Sequence, residues 1–135
     1  MKVFISHAST DTKLAKRIAD TLREAGFQVW DYTQILPGEN WAESLSKALQ
    51  NSDAMIVLLT PNSVRSSNIG HDVGYALGQK DYKDRLIPVI AAPDNTLSPT
   101  EIPWVLNRFH LIHVPNLEES EEGLQEITQA LKAVA

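Results

Sequence analysis

Six consecutive apolar residues, Ala54-Met55-Ile56-Val57-Leu58-Leu59, constrain this chain more than any other stretch. The run is too short to span a membrane and does not alternate. It reads as a strand covered on both faces, as at the centre of a parallel sheet. Pro61 and Asn62 end it. A parallel neighbour requires a crossover connection, usually a helix, so strands and helices should alternate along the chain.

The rest of the sequence has that alternation. Val3-Phe4-Ile5 is a short strand, and apolar residues at Leu14, Ala15, Ile18, Ala19, Leu22 and Ala25 mark one face of a helix over 12–25. Gly26 is its stop signal. Phe27–Trp30 is a second strand, and "QILPGEN" is a loop with a Pro-Gly turn. Trp41–Leu49 is helical, with Ala42, Leu45, Ala48 and Leu49 facing inward. After the central run, Ile69, Val73, Ala76 and Leu77 form another helical stripe. "LIPVIA" (86–91) and "FHLIHV" (109–114) are the fourth and fifth strands, and 124–134 is a closing helix. Right-handed crossovers turn this order into one α/β domain over 1–135, a doubly wound, flavodoxin-like, five-stranded parallel sheet of order 2-1-3-4-5 with helices on both faces. Ligands on such sheets bind beyond the carboxyl ends of the strands, here residues 6–11, 31–40 and 60–72.

Composition removes several classes. The net charge of −5 argues against a nucleic-acid surface, and the acidic stretch "EESEE" (118–122) reads as a solvated helix start. The absence of cysteine excludes disulfides, thiolate catalysis and zinc fingers, and fits a reducing cytoplasm. No segment has membrane-spanning length, and "MKVFI" starts a strand rather than a signal peptide. His110 and His113, three apart in a predicted strand, point to opposite faces, so no metal site is expected.

The first loop, "SHASTDT", has the hydroxyl-rich look of a flavin-phosphate site. It lacks the glycine that would let backbone wrap a phosphate, and Asp11 would repel the anion. A phosphorylated receiver domain would need acids where Ser6-His7 and Thr60-Pro61 stand. No Walker loop or GxGxxG follows a strand.

From end to end the chain resembles a Toll/interleukin-1 receptor (TIR) domain of the bacterial type. The likeness rests on "VFISHAST", "FQVWDYTQILPGENW", "SDAMIVLLTPNSVRSSNIGHDVGYALG", "RLIPVI" and "IPWVLNRFHLIHV", five segments in the family's order. The resemblance implies one of two functions. Some TIR domains are adaptors that associate with other TIR domains, here through the 34–40 loop. Others cleave the nicotinamide–ribose bond of NAD, their substrate and not a cofactor, to give ADP-ribose or a cyclic variant that acts as a signal in immunity or defence. A third possibility is a sensor that binds a nucleotide in the same cleft. In the enzymes the catalytic residue is a Glu early in the helix after the third strand. Aligned here, Ser67 and Asn68 match and the carboxylate position is Asp72, one methylene shorter.

The chemistry suits a carboxylate. Nicotinamide leaves as a neutral molecule, so no strong acid is required, and positive charge develops on the ribose. With Asn68 as N-cap, Asp72 lies in the first helical turn, where the helix dipole favours its ionised form by about 0.3–1 kcal/mol. It borders the stripe of Ile69, Val73 and Ala76, and Gly70, Gly74 and Gly78 leave one helix face bare for close packing or for a ligand. Ser6, His7 and Ser9 on the first loop are candidates for binding ribose or phosphate. Asp31 either bonds ribose hydroxyls or caps its loop. Trp41 is a candidate to stack on a base, whereas Trp30 and Trp104 read as packing residues. Ser67 and Asn68 either orient the substrate or cap the helix.

Overall fold

Every residue from Ala54 to Leu59 is fully buried in the computed structural model. The structure describes residues 2–8, 11–30, 41–61, 85–91, 111–114 and 121–134, with backbone alone at 41, 42 and 44–46. In chain order the elements are β1 (Lys2–Ser6), α1 (Thr12–Glu24), β2 (Gln28–Trp30), α2 (Trp41–Asn51), β3 (Ala54–Leu59), β4 (Leu86–Ile90), β5 (Ile112–His113) and α3 (Glu121–Val134). The strands form one all-parallel sheet in the order β2-β1-β3-β4-β5, as the alternation predicts.

The period of two along each strand divides the sheet into two apolar faces. Val3, Ile5, Val29, Ala54, Ile56, Leu58, Ile87, Val89 and Ile112 form one cluster with Ala15, Ile18, Ala19 and Leu22 of α1 and Leu124, Ile127 and Leu131 of α3. Phe4, Met55, Val57 and Leu59 point the other way and are equally buried. Helix α2 contacts β1, and its buried Ala48 and Leu49 stand outside the first cluster. A right-handed crossover from β2 to β3 reverses the direction of travel across the sheet, which puts α2 on the face opposite α1.

The end of α1 shows how local sequence directs the chain. The Phe27 N–H donates to the Leu22 carbonyl and the Gly26 N–H to the Arg23 carbonyl, both at 3.0 Å. This is the six-to-one and five-to-two pair of a Schellman cap. Gly26 takes the left-handed conformation the cap needs, at φ 95°. Phe27 then packs on the cluster that contains Leu22, and β2 begins at the next residue.

Several boundaries differ from the sequence reading. Helix α1 ends at Glu24, with Ala25 as its cap, and α2 runs two residues longer, to Asn51. Helix α3 begins at Glu121, because Glu121 and Glu122 occupy the first turn, where the dipole favours acids. Strand β4 stops at Ile90, although the Ala91 N–H still donates to the Leu59 carbonyl. Of the fifth strand, expected over 109–114, the described residues show Ile112–His113 paired with Val89 and Ile90 of β4, and the Val114 N–H donating to the Ile90 carbonyl at 2.8 Å. Residues 109–110 lie outside the described residues, as do the stripe of Ile69, Val73, Ala76 and Leu77, the glycines 70, 74 and 78, and the 34–40 loop.

Candidate functional site

In this strand order the chain leaves β1 toward β2 on one side, while β3 to β5 lie on the other. The crevice beyond the carboxyl ends of β1 and β3 is therefore the topological switch point, where ligands bind on open α/β sheets. The described residues that meet there are polar and buried: Ser6, His7 and Asp11 from the β1 side, and Thr60 directly after β3. Apolar contacts dominate the rest of the core, so four buried polar residues at one end of two adjacent strands need specific partners.

The partners tie the two walls together. The Thr60 hydroxyl donates to Asp11 Oδ2 at 2.6 Å, across 49 residues of chain. The Asp11 N–H donates to the Ala8 carbonyl at 2.9 Å, closing a tight turn between β1 and α1. His7 Nδ1 lies 2.8 Å from the same carbonyl, so the imidazole folds back along its own loop. Asp11 is the N-cap residue of α1, yet its side chain makes no capping hydrogen bond. Its carboxylate accepts instead from Thr60, directly after β3. An anion already occupies the start of α1, so this helix end offers little to an incoming phosphate.

The predicted site residues distribute as follows. Ser6 is the last residue of β1, paired with Val57 and fully buried, rather than the first residue of a loop. His7 is buried beside it. Trp41 opens α2, where the backbone alone is described. Ser9, Asp31, Ser67, Asn68 and Asp72 lie outside the described residues. Trp30 stacks on Phe4, its direct partner across β1 and β2, with ring centroids 5.1 Å apart and planes inclined by 14°. That agrees with the expectation of a packing role. Among the described residues no group of three His, Asp or Glu is placed to hold a metal ion.

The TIR domain family model matches residues 3–132. The chain belongs to the TIR domain family. Solved structures share the fold of this TIR domain at low identity. The TIR domain of the Toll-related receptor TRR-2 from Hydra magnipapillata is 19% identical, with a TM-score of 0.72 over 96% of this chain and 97% of that one. A TIR-STING receptor from C. gigas, solved with 2',3'-cGAMP, is 22% identical at a TM-score of 0.76 over 96% of this chain. This TIR domain spans only 38% of that receptor. The CMP N-glycosidase BcmB of Clostridium botulinum is 20% identical at a TM-score of 0.61, over 96% of this chain and 98% of that one. No curated protein matches. Among the described residues of the TIR domain no helix is long and apolar enough to cross a membrane.

The sequence reading passed over the pairing at the crevice. Asp11 stood out only as a repellent for phosphate, and Thr60 only as a residue at the end of a strand. The available signal was positional: two hydrogen-bonding side chains at the carboxyl ends of strands that the predicted order makes neighbours. A second concavity, an open groove of about 420 Å³, lies between α1 and α3 and is lined by Lys13, Lys16, Arg17, Asp20, Glu24 and Glu121 among others. It carries three cations, Lys13, Lys16 and Arg17, and three anions, Asp20, Glu24 and Glu121, and it lies against the helices rather than at the switch point.

Proposed function

We propose that this TIR domain is a nucleotide N-glycosidase that cleaves the nicotinamide–ribose bond of NAD, with Asp72 as the essential carboxylate, in bacterial immune signalling or defence. The observation that carries the reading is the set of buried polar residues at the β1/β3 switch point of a chain belonging to this family. Support also comes from the full-length likeness in fold to a protein whose activity is N-glycosidic cleavage of CMP. NAD and CMP share the scissile element, a bond from an anomeric ribose carbon to the nitrogen of a heterocycle.

In the reaction the C1′–N bond breaks and its electron pair leaves with nicotinamide, which departs neutral. Positive charge builds on the ribose, and an ionised carboxylate nearby stabilises it. Water then adds at C1′ and loses a proton to give ADP-ribose. In a cyclase, a nitrogen of the same molecule's adenine takes the place of water. Asp72 holds the charge or directs the water, Ser67 and Asn68 orient the ribose, and Trp41 stacks on a base. Ser6, His7, Ser9 and Asp31 complete the polar wall. Copies of the domain assemble through the 34–40 loop.

The test is nicotinamide release from NAD by concentrated protein, wild type against Asp72→Ala. The variant should lose at least about 100-fold, the scale on which a misplaced group costs rate. Equal rates would remove Asp72 from the mechanism. CMP is assayed in parallel, since cytosine release without nicotinamide release moves the substrate to the chemistry of the Clostridium botulinum enzyme. No turnover of either nucleotide, even for Asp72→Glu under forced assembly, leaves the non-catalytic interaction module, and calorimetry with NAD and ADP-ribose separates that from a nucleotide sensor.

A further inference from the structure

Strands β1 and β3 are latched at both ends, and the two latches differ. At the amino ends the Lys2 N–H donates to Asp53 Oδ2 at 2.9 Å and the Asp53 N–H to the Lys2 carbonyl at 2.7 Å, both at half-buried residues. These bonds extend the ladder that already pairs Val3 with Ala54. At the carboxyl ends the latch is Thr60 to Asp11, side chain to side chain, with the two residues only 3% and 7% exposed. It lies beyond the ladder, where Ser6 pairs with Val57 and the strands part. A carboxylate kept in such a place lacks most of its water, and a simple strand end would not need one. The same residue gives up the side-chain capping bond that an Asp at this helix position commonly makes.

We infer that Asp11 and Thr60 are a positioning pair for the crevice: their hydrogen bond fixes the loop after β1 against the chain leaving β3, and so sets the spacing of the two walls. One wall carries Ser6 and His7, and the other leads within twelve residues of sequence to Asp72. The inference deepens the N-glycosidase reading and rests on it for its catalytic consequence. Neither residue takes part in bond breaking. Asp11 acts through Thr60, and the hydroxyl is the element that Val lacks and Ser keeps.

The experiment compares wild type, Thr60→Val, Thr60→Ser, Asp11→Ala and the Asp11→Ala/Thr60→Val double variant, all shown folded by circular dichroism at the assay temperature. Nicotinamide release gives kcat and KM, and hydrogen exchange reports the peptides that end β1 and β3. Thr60→Val and Asp11→Ala should each lower kcat by roughly 10- to 100-fold, as displacements of about 1 Å do. The double variant should be no slower than the slower single one, because both changes remove the same bond. Thr60→Ser should recover most of the rate. Exchange should rise in the peptides ending β1 and β3 while that of β4 and α3 stays as in wild type. Folded single variants with unchanged kcat, or losses that multiply in the double variant, overturn the pair. A silent wild type overturns the N-glycosidase reading instead. Exchange then decides the pair by itself: a local rise in the variants upholds the latch, and an unchanged or uniform pattern removes it.

Discussion

At the residue scale, the Thr60–Asp11 bond should also be visible in stability. Valine has nearly the shape of threonine, so Thr60→Val leaves packing intact and takes one donor from a buried carboxylate. An acceptor stranded in this way costs about 1–3 kcal/mol, and the variant's urea midpoint should fall accordingly with no change in slope. A midpoint equal to that of wild type would mean that solvent reaches Asp11 and that the bond in the structure is not maintained. The sequence displayed the types of both residues but not their meeting, because 49 positions separate them and hydrogen bonds between distant side chains leave no periodic trace. Ser6 shows the same limit. Its hydroxyl suggests a loop, whereas β1 runs one residue further than its apolar core because Ser6 still pairs with Val57.

At the scale of elements, the sequence was most informative where a local rule acts alone. The stripe of Ala15, Ile18, Ala19 and Leu22 is the buried face of α1, and Gly26 ends the helix by a mechanism that its residue type announces. The space around Gly26 is open, with nothing within 4 Å of where a Cβ would stand. A substitution there therefore tests conformation alone. Gly26→Ala should destabilise by about 1–2 kcal/mol, the cost of holding a side-chain-bearing residue in the left-handed region, and Gly26→Asn should cost less, since Asn tolerates that region better. Thermal melts of the three proteins would show it. If alanine proved neutral, the Schellman cap would be too weak to set the turn into β2. At β5 the described residues 111–114 carry a ladder through Ile112 and His113, which the Val114 N–H extends to the Ile90 carbonyl. An edge strand pairs on one side only, so its carboxyl end is set by where β4 ends, at Ile90, rather than by its own composition.

At the scale of the whole molecule, alternation and handedness led to a doubly wound parallel sheet, the common flavodoxin-like order supplied 2-1-3-4-5, and the run 54–59 fixed the centre. The candidate site was less legible. Of its candidate residues, Asp72, Ser67 and Asn68 follow from family likeness and Ser6, His7, Ser9, Asp31 and Trp41 from their positions along the sequence, whereas the switch point comes from the sheet order. That central strand also makes a prediction about cooperativity. Ile56 lies in a cluster that joins β1 and α1, near the start of the chain, to α3, near its end. Ile56→Ala removes apolar contact from the middle of that cluster, at a cost of about 2–5 kcal/mol, a large part of the roughly 5–15 kcal/mol that holds a typical domain together. Because one cluster spans the chain, the loss should be shared by all of it. In proteins that keep Trp30 as the one tryptophan (Trp41→Phe, Trp104→Phe), urea unfolding followed by fluorescence, which then reports β2, should coincide with unfolding followed by far-ultraviolet circular dichroism, which is dominated by helices such as α1 and α3. Both curves should move together to lower urea with the wild-type slope. Separation of the two transitions in the variant would show that the β2 edge and the helices of the opposite layer are held by different cores, and that the sheet is less of a single unit than its shared apolar face indicates.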